Sequence, residues 1–321
     1  MAYAAISKPS DNFRTKLYTG NGSARSITFD ESGNMQPDLM WIKSRGHAAS
    51  WLCNDVLRGA TYRLKLDTNS AQSQETGMIT SFDTNGFSLG TTSTSNNNGS
   101  NYVAYGWKGA GSSSSNSDGT TTSLVSTNTT AGCSIVKYSG NSSARTIGHG
   151  LGVAPDLMIV KTYSSGYEWA VYHSSLGEGQ NLYLDTTGGS SATTTFWNNT
   201  APTNSVFSAG GNVIYTNYSG QDYIAYCFAS KKGYSKFGKY IGNGNANGTF
   251  VHTGFKPAWV LIKQTSASGE EWQLLDNKRN TFNPTNTAIF PSDVAVENSG
   301  NDRSDFLSNG FKLRSTSAGV N

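Results

Sequence analysis

Pro37-Asp38-Leu39-Met40-Trp41-Ile42-Lys43 returns as Pro155-Asp156-Leu157-Met158-Ile159-Val160-Lys161, and again as Pro257-Ala258-Trp259-Val260-Leu261-Ile262-Lys263. The run is too short for a helix and rich in aromatic and β-branched residues. It opens on a Pro, which cannot donate to a ladder and suits a strand start. It reads as a buried β-strand closed by a charge. Repetition extends outward from it. Tyr18-Thr-Gly-Asn-Gly precedes the first run, Tyr138-Ser-Gly-Asn-Ser the second and Tyr240-Ile-Gly-Asn-Gly the third, at Tyr spacings of 120 and 102 residues. A Trp follows each closing Lys by eight (Trp51), eight (Trp169) or nine residues (Trp272). Gly86-Phe87-Ser88-Leu89, Val206-Phe207-Ser208 and Gly310-Phe311-Lys312-Leu313 come near the end of each copy.

The expected fold is therefore all-β, with three tandem β-sandwich repeats of jelly-roll or lectin-like type. Repeat 1 is placed at residues 1–110, a Gly/Ser/Thr-rich linker at 111–130, repeat 2 at 131–232 and repeat 3 at 233–321. The stretch from Gly109 to Asp118, nearly all Gly and Ser, reads as a flexible linker. Tyr102-Val-Ala-Tyr-Gly-Trp107 and Tyr223-Ile-Ala-Tyr-Cys-Phe228 close the first two copies. The same offset in the third falls near position 326, so the third repeat is expected to lack its closing strand. The first explanation is that the sequence belongs to a longer chain; the second is a strand supplied by a neighbouring subunit.

Composition narrows the function classes. The 24 Lys+Arg against 21 Asp+Glu leave a net charge of +3, and only 14% of the 321 residues are charged. Aromatics at 12% and 36 Gly, with roughly a third of the chain Ser, Thr or Asn, exclude a solvated disordered chain and a helical bundle. Near-neutrality without basic clusters argues against nucleic acid. No apolar run of membrane-spanning length occurs, and Met1 to Asp11 has no secretory-signal pattern.

The chemical motifs are sparse. Cys53, Cys133 and Cys227 are too far apart for a zinc site and odd in number for a disulfide framework, so they read as buried small hydrophobes. His47, His149, His173 and His252 have no metal-ligand spacing and read as loop residues. No Gly-x-Ser-x-Gly elbow marks a nucleophile. The Gly-Asn-Gly turns lack the Lys-Ser/Thr and the helix of a phosphate loop, and read as hairpins. Asp55/Arg58 and Asp276/Arg279, each three apart, are expected to pair within a turn; the middle copy has His173 and Leu176 there. Glu178, Glu270 and Glu271 are loop carboxylates with no evident partner. Asn21, Asn128, Asn141, Asn198 and Asn247 begin sequons that follow from the composition. No catalytic residue, metal ligand or cofactor is assigned.

Exposed aromatics among polar loops suit sugar recognition, the ring face stacking on C–H groups while amides hydrogen-bond hydroxyls. The candidates are Trp197, Tyr163, Tyr167, Tyr215 and Tyr218. Trp41, Trp51, Trp169, Trp259 and Trp272 recur in register and are assigned to the core. Trp197 has no counterpart, which makes it the leading surface candidate.

Several longer stretches carry a resemblance. Met1-Ala-Tyr-x-x-Ile6, Thr15-Lys-Leu-Tyr-Thr-Gly-Asn-Gly22, Ser134-Ile-Val-Lys-Tyr138 and Gly148-His-Gly-Leu-Gly152 are four of them. Tyr223-Ile-Ala-Tyr-Cys-Phe-Ala229, Gly233-Tyr-Ser-Lys-Phe-Gly238 and Asp276-Asn-Lys-Arg-Asn-Thr-Phe-Asn-Pro284 continue it. Over essentially its whole length the chain resembles virion-associated proteins of cyanophage and pelagiphage type, which infect abundant marine bacteria and carry a repeated domain without an assigned function. The resemblance implies a third copy that continues to an aromatic-rich closing strand, and carries over no catalytic residues. It also implies a non-enzymatic structural protein of the virion exterior, made in the bacterial cytoplasm. A tail fibre contacting host-surface glycan is the expected form, with other virion proteins as partners and a homo-oligomer, such as a trimer, as the assembly. Capsid decoration and a polysaccharide-degrading enzyme are the competing classes.

Overall fold

The computed structural model describes residues 4–321; residues 1–3, at the head of the first expected domain, lie outside the described residues. The chain is almost entirely β. Strands β1 (Phe13–Thr19), β2 (Arg25–Thr28), β3 (Leu39–Ser44), β4 (Leu52–Asp55), β5 (Tyr62–Arg63), β6 (Ser73–Gln74), β7 (Ile79–Asp83), β8 (Gly86–Leu89) and β9 (Asn101–Trp107) occupy the first third. The middle third holds β10 (Ser114–Asn116), β11 (Ser123–Asn128), β12 (Cys133–Ser139), β13 (Arg145–Gly148) and β14 (Leu157–Thr162). After them come β15 (Ala170–His173), β16 (Gln180–Tyr183), β17 (Ser191–Ala192), β18 (Val206–Ala209) and β19 (Asp222–Phe228). The last third has β20 (Phe250–His252), β21 (Trp259–Ile262), β22 (Gln273–Asp276), β23 (Ser304–Leu307) and β24 (Gly310–Leu313).

The Pro-initiated runs become β3, β14 and β21. β3 lies in a four-stranded antiparallel sheet of order β1-β9-β3-β4, and β12-β19-β14-β15 repeats that order inside an eight-stranded sheet. The pairings correspond: Tyr18 faces Tyr102 and Leu39 faces Trp107, as Tyr138 faces Tyr223 and Leu157 faces Phe228. Because side chains alternate along a strand, each run feeds two cores. Met40 and Ile42 pack with Ile27, Ile79, Phe87 and Leu89 of the facing three-stranded sheet β2-β8-β7. Met158 and Val160 pack likewise with Ile147 and Phe207 from β13 and β18. On the opposite face Leu39 and Trp41, with Leu157 and Ile159, enter a central cluster that also holds Trp51, Trp169, Trp272, Leu274 and Ile289. All three motif-bearing thirds thus share one core.

The expected linker is a correction. β10 pairs with β11 and β11 with β12, so residues 114–116 and 123–128 extend the middle sheet. Its Gly-rich start is tied down as well. The Asp38 carboxylate accepts from the Gly109 and Gly111 N–H groups, and Ser126 Oγ from Ala110 N–H. A Cβ on Gly109 would lie 2.7 Å from Ser126 Oγ, so here the glycine permits close packing. Two histidines differ from their loop assignment, His173 in β15 and His252 in β20; His47 and His149 lie outside strands as expected, His149 fully buried. Trp41, Trp51, Trp169 and Trp272 are core as expected, whereas Trp259 is half-buried.

Two side chains of each motif bind a carbonyl of another third. Lys43 Nζ donates to Ala49 O and, in the last third, to Val294 O at 2.7 Å. Lys161 Nζ donates to Ser165 O, Tyr167 O and, in the first third, Asn69 O at 3.0 Å. Lys263 Nζ donates to Glu270 O and, in the middle third, Thr187 O at 3.2 Å. The Trp indoles follow the same direction: Trp51 to Phe290 O (2.7 Å), Trp169 to Lys65 O (3.0 Å) and Trp272 to Tyr183 O (2.8 Å). First to last, middle to first and last to middle, the contacts close a cycle.

Candidate functional site

The buried charges are consumed by structure. Asp55 and Arg58 pair at 2.7 Å with side chains 0% and 1% exposed, and Asp276 and Arg279 pair at 2.5 Å, both at 0%. In each pair the Asp Oδ1 also accepts backbone N–H groups of the following turn, as the three-residue spacing requires. A tyrosine from another third completes the arrangement. Tyr226 OH donates to Asp55 Oδ2 at 2.8 Å and Tyr105 OH to Asp276 Oδ2 at 2.6 Å. In the middle third the corresponding position holds His173, whose Nδ1 accepts from Ser175 N–H.

The cysteines are all free and buried. Burial pushes the Cys53 and Cys133 thiols up to about 12 and that of Cys227 higher still, the direction that quenches nucleophilicity. His149 is held as a neutral ring: its Nδ1 accepts from Leu151 N–H, which places the proton on Nε2, 3.2 Å from Thr203 O. Among the described residues no group of three His, Cys, Asp or Glu side chains is placed to hold a metal ion.

The predicted sugar-binding aromatics separate. Trp197 is a correction: it is 1% exposed, packed edge-on against Tyr172 at 5.7 Å within the middle core. Its lack of a counterpart reflects an extra core residue of this third. Tyr163 is buried too, with the Lys137 ammonium 5.6 Å over its ring. Tyr218 is exposed, its N–H donating to Tyr223 OH, and it makes no ring contact with the other candidates.

Tyr167 and Tyr215 do meet, edge to face at 6.1 Å. Tyr167, 37% exposed, sits in the loop between β14 and β15, its carbonyl gripped by Lys161 at 2.6 Å. Tyr215 stacks on Phe196 at 4.8 Å and meets Tyr183 at 5.5 Å. These four rings form a corner with a buried floor (Phe196) and an exposed rim (Tyr167). Tyr183 and Phe196 are additions to the predicted set. Alternation in Asn181-Leu182-Tyr183-Leu184, which sends Leu182 and Leu184 into the core and Tyr183 outward, carried the signal for the first. Burial raises the Tyr183 pKa, with Tyr215 adding to it, so Tyr183 stays a neutral phenol.

The chain matches the family model described as Domain of unknown function (DUF7483) over residues 8–321, and it belongs to that family. Neither the curated proteins nor the solved structures give a match.

Proposed function

Taking membership of that family as the premise, we propose that the chain is a non-enzymatic display protein of a virion exterior. In this reading three copies of one two-sheet β-sandwich unit close around a shared core, and the Tyr167–Tyr215 corner contacts host-surface glycan. The virion setting draws on the resemblance of stretches such as Tyr223–Ala229 and Asp276–Pro284 to phage structural proteins. The observation that carries the display reading is the fate of the reactive groups. The motif lysines, both Asp–Arg pairs and His149 are bound up in ties that hold the fold together, and the thiols are free but buried. The surface offers aromatic rings and amides, which suit weak, repeated contact in which avidity replaces affinity. Phe282 and Ile241, 84% and 87% exposed, supply apolar points for contact with other virion proteins or further copies of the chain.

A glycan array followed by titration of the best ligand tests the corner. Tyr167→Ala is expected to weaken binding about tenfold, an aromatic contact of roughly 1.4 kcal/mol, while leaving the melting temperature unchanged. Absence of binding to any host-type glycan, or undiminished binding by both Tyr167→Ala and Tyr215→Ala, would sink the sugar reading. Immunogold labelling of intact particles tests the setting. Label on a tail appendage supports it, label spread over the capsid moves the protein to a decorating role, and no label rejects it. Capsid decoration is the second reading because a block with one shared core suits a surface cap as well as a fibre.

A further inference from the structure

The aromatic corner of the middle third departs from the scaffold that carries it. The lysine and tryptophan ties mark corresponding positions in the three thirds. The carbonyls of Ala49, Tyr167 and Glu270 accept from Lys43, Lys161 and Lys263. Those of Lys65, Tyr183 and Phe290 accept from the indoles of Trp169, Trp272 and Trp51. Tyr215 follows Ile214, whose carbonyl accepts from Tyr223 OH, as Thr94 follows Ser93, which accepts from Tyr102 OH. Phe196 O accepts from Gly210 N–H as Met78 O does from Gly90 N–H. Where the middle third has Tyr167, Tyr183, Tyr215 and Phe196, the first therefore has Ala49, Lys65, Thr94 and Met78. The same backbone contacts form in both, so the scaffold does not itself require the rings.

The rings meet at angles rather than in one stack. Phe196 is buried and lies 26° from parallel with Tyr215 at 4.8 Å. Tyr183 tilts by 55° to Tyr215, and Tyr167 stands at 87° to it. Tyr183 and Tyr215 are half-buried and Tyr167 is 37% exposed, so the corner opens to solvent. Ring faces carry the negative side of the aromatic quadrupole, and here they are set in more than one plane.

Charge supplies a second, independent sign. Glu168, next to Tyr167, is half-buried; among the described residues ion pairs hold Glu31 and Glu297 but not Glu168. With burial and Tyr215, its carboxylate raises the Tyr183 pKa, so its charge is felt at the rings. The neighbouring cation, Lys161, is fully buried and committed to three carbonyl oxygens. Asp185 and Glu168 both act on that ammonium, and together they outnumber it.

We propose, resting on the glycan reading of this corner, that it takes a trimethylammonium group carried by the host-surface glycan. Such a cation is attracted to aromatic faces, buries its methyl groups against them and needs no hydrogen-bond acceptor. Glu168 adds the opposite charge. The first third is unsuited to the same ligand, because Lys65 sets a like charge at the position of Tyr183.

Isothermal titration of the 321-residue chain with choline, and with its neutral isostere 3,3-dimethylbutan-1-ol, tests the cation preference. Choline is expected to bind once per chain, and the alcohol at least about fivefold more weakly. Tyr183→Lys, which installs the residue of the first third, removes choline binding. Glu168→Gln leaves every ring in place, weakens choline about threefold and leaves the alcohol unaffected. Unchanged melting temperatures verify that both variants are folded. No choline binding, equal binding of the two ligands, or choline binding that survives both substitutions overturns the proposal. A neutral glycan that binds through Tyr167 while choline does not bind overturns it alone and leaves the glycan reading standing. Choline binding without a glycan ligand supports the cation site and removes the glycan reading instead.

Discussion

Replacing Lys161 with Met probes the tie that joins the middle third to the first and positions the Tyr167 loop. The ammonium is fully buried and donates to Tyr167 O, Asn69 O and Ser165 O at 2.6, 3.0 and 3.2 Å. Burial lowers its pKa to about 8, with Asp185 and Glu168 opposing the shift. Holding it charged at neutral pH costs roughly 3 kcal/mol, which Met removes. Met also leaves the Tyr167, Asn69 and Ser165 carbonyl oxygens without this donor, at up to about 1–3 kcal/mol each. The difference is a net loss of about 2 kcal/mol, or roughly 3 °C in melting temperature for a single cooperative unit of 321 residues.

The sign of the pH dependence follows. A lysine with a depressed folded pKa contributes stability that is present above 10.5 and lost as pH falls through about 8. The gap between wild type and Lys161→Met therefore widens between pH 7 and 9.5. Lys263→Met, with two acceptors and a half-exposed side chain, loses less. Differential scanning fluorimetry across pH measures all three proteins. A Lys161→Met variant as stable as wild type, a gap that does not change with pH, or Lys263→Met as the most damaged protein would refute the reasoning.

Other outcomes follow from the same contacts. Tyr226→Phe should lose about 1.5–3 kcal/mol, the range for a hydrogen bond to a charged group, and Asp55→Asn about 3–5 kcal/mol because it strands Arg58 in the core. A double-mutant cycle in urea would show the two losses to be non-additive. Burial holds His149 below its ordinary pKa, so its contribution is present above about 6.5 and lost as pH falls; urea midpoints should drop from pH 7.5 to 5, less so in His149→Gln. Trp197→Ala should cost about 3–5 kcal/mol as a core deletion, whereas Tyr167→Ala stays within about 0.5 kcal/mol, both read from chemical denaturation.

The strands at the Pro-initiated runs, the paired Asp–Arg turns and the buried thiols were legible in the sequence because each depends on local spacing or residue type. The segment after Gly109 was not. Its Gly and Ser content reads as flexible, and what orders it is the Asp38 carboxylate, supplied from some 70 residues earlier in the chain. Trp197 was misplaced for a related reason. Lack of a repeat partner suggested the surface, but the middle core has room for an additional indole beside Tyr172. Register marked the recurrent Trp and Lys residues as important; which third each would reach is a property of the assembled core, invisible in spacing. Tyr167 and Tyr215, 48 residues apart, are brought together by the Lys161 grip on one loop and by the stack of Tyr215 on Phe196.

Scanning calorimetry of the whole chain tests the shared core most directly. One endotherm, with calorimetric and van't Hoff enthalpies equal and the entire peak displaced downward in Lys161→Met, is the predicted result. Two or three separable transitions, with only one moved by the substitution, would contradict a single core closed by the lysine and tryptophan ties.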